Sequence, residues 1–149
     1  MLHSMIDTLT AWWQRSLERL WGEPAPVLGV RDGQFLPCPD TPNCVSSQSD
    51  KPQQHIAPLP YRKSPEEVMA AVMQVLQTTP RQRIVRQEPR YIHAEFRSRI
   101  MRFPDDMEFY LDEDAQLLHF RAAARLGHSD LGVNRQRSEA IRATLEALL

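Results

Sequence analysis

Two cysteines, a run of carboxylates and an arginine-flanked loop are the parts of this 149-residue chain whose residue types could do chemistry. The cysteines close the segment Cys38-Pro39-Asp40-Thr41-Pro42-Asn43-Cys44, which Val45-Ser46-Ser47 follows. Such a pair can be packed thiols beneath a loop, a redox or regulatory pair, or, in an oxidising compartment, a small-loop disulfide. Zinc would need four ligands, and this spacing lacks a tight CxxC pair. Two of His55, His93, His119 and His128 would have to complete the set, so no metal centre is expected.

The carboxylates are Asp105, Asp106 and Glu108, just after Phe103-Pro104. Adjacent carboxylates repel, which can raise one pKa and suit it to general-acid work or a hard cation. The competing reading gives Asp105 and Asp106 turn and capping roles and pairs Glu108 with an arginine across a sheet. The arginine-flanked loop runs from Arg121 to Arg137. Gly127 and Gly132 punctuate it, His128, Ser129, Asp130 and Asn134 lie within it, and Arg121, Arg125, Arg135 and Arg137 flank it. Arginines around a helix start make a natural anion site. The same residues could instead be a charge network that pins the loop and caps the helix through Asp130 or Asn134. No phosphate-loop, dinucleotide or nucleophile-elbow pattern is present. A Ser46, His119, Asp130 triad can be assembled only by choosing freely from a long chain.

These residues need elements to position them. The length suits one domain, and 42% apolar with 25% charged residues is ordinary for a globular chain. A net charge of -1 supplies no global basic field, so nucleic acid is not an expected partner. No stretch approaches the roughly 20 apolar residues of a membrane span. The start lacks a basic leader, and Asp7 interrupts its apolar run. The expected compartment is the cytoplasm, where Cys38 and Cys44 would stay reduced.

Residues 1–22 read as an amphipathic helix with Trp12, Trp13 and Trp21 on its apolar side. It could dock on its own domain, on a partner, or peripherally on a membrane. Residues 23–149 read as a single α+β domain. The segment 22–65 holds nine of the twelve prolines, which excludes long regular structure and predicts a wrapping segment. Ser64, Pro65 and Glu67 predict a capped helix start, with Val68, Ala71, Val72, Val75 and Leu76 as the inner stripe. Strands are expected over 81–87, 91–101, 107–111 and 116–125, and a helix over 134–148. The expected fold is a three- to four-stranded antiparallel sheet with two helices on one face. Its other face would carry His93, Glu95, Arg97, Glu108, His119, Arg121 and Arg125.

CPDTPNCVSS, the FRS…FPDDMEF block and FRAAARLGHSDLGVNRQRSEAIR, in that order, resemble the domain of unknown function 1499 family over roughly residues 30 to 145. The resemblance implies bacterial or chloroplast relatives, many with membrane segments or export signals, and no assigned activity. It implies a fold and a site location more than a function. The family pattern reads RSASR, whereas alanines stand at Ala122 and Ala124 here, so no hydroxyl chemistry is expected at those positions. The reading preferred from sequence is a non-catalytic binding or accessory domain. It would hold an anionic ligand or partner at Arg121, Arg125, Asp130, Asn134 and Arg137 with Asp105, Asp106 and Glu108, and no cofactor is expected. The alternatives are a small enzyme using those carboxylates with Arg121 and Arg125, and a thiol function of Cys38 and Cys44. The discriminating observation is whether the three polar segments meet in one place.

Overall fold

The computed structural model describes residues 25–100 and 102–149. The helix expected over 1–22 lies outside the described residues. In chain order the elements are β1 (Val30–Arg31), β2 (Gln34–Phe35), β3 (Cys44–Ser46), a short 3-10 turn (Pro52–Gln54), β4 (Leu59–Pro60), α1 (Pro65–Thr78), β5 (Gln82–Glu88), β6 (Tyr91–Arg97), β7 (Pro104–Asp112), β8 (Leu117–Ala124) and α2 (Val133–Leu148).

The domain is α+β, with one six-stranded antiparallel sheet in the order β3-β8-β7-β6-β5, and β4 sharing the β8 edge with β3. This corrects the expected three to four strands. The extra strands come from the proline-rich segment and are two or three residues long, too short to show a period of two. β1 and β2 form a separate hairpin. Its two-residue loop is Asp32-Gly33, both at positive φ (51° and 75°), the conformation that Asp-Gly favours in tight hairpins.

The core lies between the sheet and the two helices. Ile92, Ala94, Phe96, Met107, Phe109, Leu111, Leu118, Phe120 and Ala122 share one sheet face and pack with Val68, Val72, Val75 and Leu76 of α1 and with Ile141 and Leu145 of α2. The α1 start is as expected: Ser64 Oγ accepts from the Glu67 amide, and Glu67 Oε2 accepts from the Ser64 amide.

Two strand boundaries differ from expectation, and both matter for the site. β6 ends at Arg97, which pairs with Pro104, so Arg99 and Ile100 lie in a turn and Ile100 is solvent-exposed rather than core-facing. β7 begins at Pro104, where the missing amide proton is tolerated at a strand start. Asp105 and Asp106 are therefore buried strand residues, not turn residues.

Candidate functional site

Alternation along β6, β7 and β8 sends Tyr91, His93, Glu95, Asp106, Glu108, Arg121 and Arg125 to the face opposite the core. In a sheet with one dry face that second face would be wet. Here it is largely closed, because the β1–β2 hairpin lies against part of it. Phe35 packs edge-on to Tyr110 with ring centroids 6.2 Å apart, and the Leu36 carbonyl accepts from Arg121 Nε at 2.8 Å. Gln48 holds the hairpin from below, accepting from the Phe35 amide and donating to the Gly33 carbonyl.

Three carboxylates are sealed in this face: Glu95 is 0% exposed, Asp106 3% and Glu108 1%. A charge so buried must be paired, and each is. Arg125 forks onto Asp106, Nε to Oδ2 and Nη2 to Oδ1, both at 2.7 Å, and the same Nη2 reaches Glu95. Glu95 also receives Arg83 at 3.1 Å and Arg97 at 3.3 Å. His93 Nε2 lies 2.6 Å from Asp106 Oδ1. Glu108 accepts from the Tyr91 hydroxyl at 2.6 Å and from Arg121 at 3.2 Å.

These surroundings push the carboxyls apart in pKa. Burial raises Asp106, but the hydrogen bonds and charges of Arg125 and His93 more than offset it and hold the group below its ordinary range. For Glu108 burial wins over Tyr91, Arg121 and His93, and its pKa is raised. Burial, with the Glu108 carboxylate beside it, drives the Tyr91 phenol upward.

Asp105 belongs to the opposite face. It sits at the core end beside the start of α2, where it accepts from Arg137 Nη1 at 3.1 Å. Arg137 also lies over the Phe96 ring at 4.6 Å. Burial raises the Asp105 pKa against Arg137 and Asn134. Mutual repulsion of adjacent carboxylates is therefore not what shifts the pair, since the strand sends Asp105 and Asp106 to opposite sides. Asp130 braces the start of α2, two residues before its N-cap Gly132: its carboxylate accepts from the Gly132 and Asn134 amides and from Asn134 Nδ2. These bonds hold the loop before α2 to the helix start.

Cys38 and Cys44 are joined in a disulfide with Cα atoms 5.7 Å apart. This corrects the expectation of reduced thiols and removes a role that needs a free thiolate. Inside the bridged loop Asn43 Nδ2 donates to the Gly127 carbonyl at 2.9 Å, and the Asn43 carbonyl accepts from the Ala124 amide at 3.0 Å. Asp105 pairs with Ala124 from the other side. The three polar segments thus do converge, around Ala124 at the end of β8, but the sheet divides their side chains between its two faces.

The Ser46, His119, Asp130 triad is not assembled. Ser47, not Ser46, lies against His119 Nδ1 at 2.8 Å, and its hydroxyl also accepts from the Phe120 amide. Burial lowers the His119 pKa, and its contact with Ser47 ties the residue after β3 to β8. Among the described residues no group of three or more His, Cys, Asp or Glu is arranged to hold a metal ion, and no helix is long and apolar enough to cross a membrane.

Sequence reasoning placed Glu95, His93 and Arg97 on the right face but left them out of the site. Their part depends on register, which pairs Glu95 with Asp106 and His93 with Glu108 and cannot be read from one strand at a time. Residues 34–145 match the family described as "Protein of unknown function (DUF1499)", and the chain belongs to that family. No curated protein matches the chain.

Proposed function

We propose that this member of the DUF1499 family is a non-catalytic binding domain that holds an anionic partner at the arginine-rich end of its sheet. The observation that carries the reading is where positive charge is left over. Arg121, Arg125 and Arg137 are each engaged by an internal carboxylate. They act as struts behind the surface rather than as ligand contacts. Arg81, Arg99 and Arg102 are exposed instead, and all three stand at the sheet end where β5 and β7 begin and β6 finishes. The connections 98–103 and 126–132 at that end hold Arg99 and Arg102 against a single acid, Asp130. An enzyme using Asp106 and Glu108 is less well supported. Both carboxylates are occupied by protein donors and closed to solvent, whereas a general acid must reach its substrate.

The Cys38–Cys44 bridge bears on location. Such bonds persist in oxidising compartments and are rare in the reducing cytoplasm. The bridge therefore favours a compartment of the first kind.

The test is a titration of the full chain with inorganic pyrophosphate, followed by amide NMR shifts. Shifts are expected at Arg81, in 98–103 and in 125–132, and are expected to vanish in an Arg99→Glu/Arg102→Glu variant. Shifts that are absent, or unchanged in the variant, would overturn the proposal.

A further inference from the structure

We infer that this end of the molecule docks on a membrane surface bearing anionic headgroups. The inference rests on the anion-binding reading above and names the source of the anion. It is carried by apolar side chains that the anion alone does not explain. The β6–β7 turn interleaves the two kinds of residue, with Arg99 and Arg102 alternating with Ile100 and Phe103. The β8–α2 connection adds Leu126 and Leu131. Strand pairing puts both connections at one end, since Arg97 pairs with Pro104 and Asp105 with Ala124.

Ile100 is 85% exposed and Leu131 94%. Among the described residues, five of the eight exposed large hydrophobics lie in these two connections or at Val133, the first residue of α2. One exposed leucine is unremarkable, but apolar side chains gathered on one end mark an interaction surface. Arg99 and Arg102 make no ion pair with any described residue, so their charge is available at the same surface.

The backbone points the same way. Arg102 and Leu131 adopt left-handed φ of 54° and 57°, a conformation unfavourable for large side chains. Folding alone would place glycine or asparagine there. Leu131 keeps a strained backbone to hold an apolar side chain in water. Guanidinium groups at phosphate level with apolar tips just below them fit the headgroup boundary of a bilayer. A soluble polyanion would engage the arginines and leave Ile100 and Leu131 without a role.

The full chain is to be mixed with vesicles of equimolar phosphatidylglycerol and phosphatidylcholine, and with phosphatidylcholine vesicles as control, and partition read by sedimentation. Wild type is expected on the anionic vesicles and not on the control. Arg99→Gln/Arg102→Gln is expected to weaken partition about thirtyfold, about fivefold for each arginine lost. Ile100→Ser/Leu131→Gly is expected to weaken it by at least about tenfold through lost apolar insertion. That second variant should keep the pyrophosphate-induced shifts. Its Tm should be maintained or raised, because glycine suits the left-handed position at 131. Three results would sink the inference: no preference for anionic vesicles, wild-type partition by both variants (another segment is then the anchor), or wild-type partition by Ile100→Ser/Leu131→Gly alone. If pyrophosphate still shifts the amides while vesicles are ignored, the anion-binding reading stands and the membrane falls. If neither binds, both fall.

Discussion

Arg125 bridges two of the three enclosed carboxylates of the polar face, Asp106 and Glu95, and itself remains mostly covered. Removing one partner of a buried pair leaves the other charge uncompensated, which costs about 3 to 5 kcal/mol. Arg125→Met is therefore expected to lose stability on that order in urea denaturation, with Asp106 left to His93 alone. Asp106 and Glu108 should respond to pH in opposite senses. The Asp106 pKa is lowered by folding, so its contribution is present above the unfolded value of about 3.9 and is lost as pH falls through the folded value below that. The Glu108 pKa is raised, so the folded state binds that proton more tightly than the unfolded chain. Wild type should then gain stability relative to Glu108→Gln as pH falls from 7 toward about 4.3, and lose its margin over Asp106→Asn below about 3.9. Equal pH slopes for wild type and Glu108→Gln would contradict the assignment. Residue types alone pointed to Asp105, Asp106 and Glu108 as a group. The separation of Asp105 follows from one fact of strand geometry, that neighbours face opposite ways.

At the scale of elements, the proline-rich segment does more than wrap. It contributes β3 and β4 to the sheet edge, lays the β1–β2 hairpin over the polar face, and is fastened by the Cys38–Cys44 bridge next to where Arg121 holds the Leu36 carbonyl. A bridge closing so short a loop is worth about 2 kcal/mol on the chain-entropy account. Cys38→Ser/Cys44→Ser is expected to lose about that much stability. Amide exchange in 36–43, and at Ala124, which donates to Asn43, should also quicken. Exchange that is unchanged would mean the loop is held without the bridge. The helices were the most legible elements, because capping at Ser64 and a 3.6-residue stripe are local signals. β6 stops four residues short of the expected 91–101. Ser98 and Ile100 continue the alternation, and only pairing of Arg97 with Pro104 ends the strand. The Asp32-Gly33 pair is a local hairpin signal that the sequence does carry.

At the scale of the whole molecule, charge is unevenly placed among the described residues although the net charge of the chain is only -1. The end formed by the 98–103 turn and the 125–132 loop is basic and apolar. The opposite end carries Glu88, the turn Asp112-Glu113-Asp114, and Glu66 and Glu67 at the start of α1, with Arg90 bridging Glu66 and Glu113. Such a distribution orients a domain against a charged surface more than it attracts one at long range. It also explains why a near-zero net charge was a poor guide to partners: the sum is insensitive to which turn lies at which end.

From its sequence alone the protein is legible as an α+β chain of the DUF1499 family, with the two described helices, the long strands and the face each strand residue takes, because those elements follow from local periodicity and capping. Tertiary structure decided that the polar face is buried, that Asp105 leaves Asp106 and Glu108, that Arg121, Arg125 and Arg137 are already neutralised, and that Arg99, Ile100, Arg102 and Leu131 share one end. Each of these depends on strand register and on where a covering segment lies. Those are set by contacts between residues far apart in the chain, which no local pattern encodes.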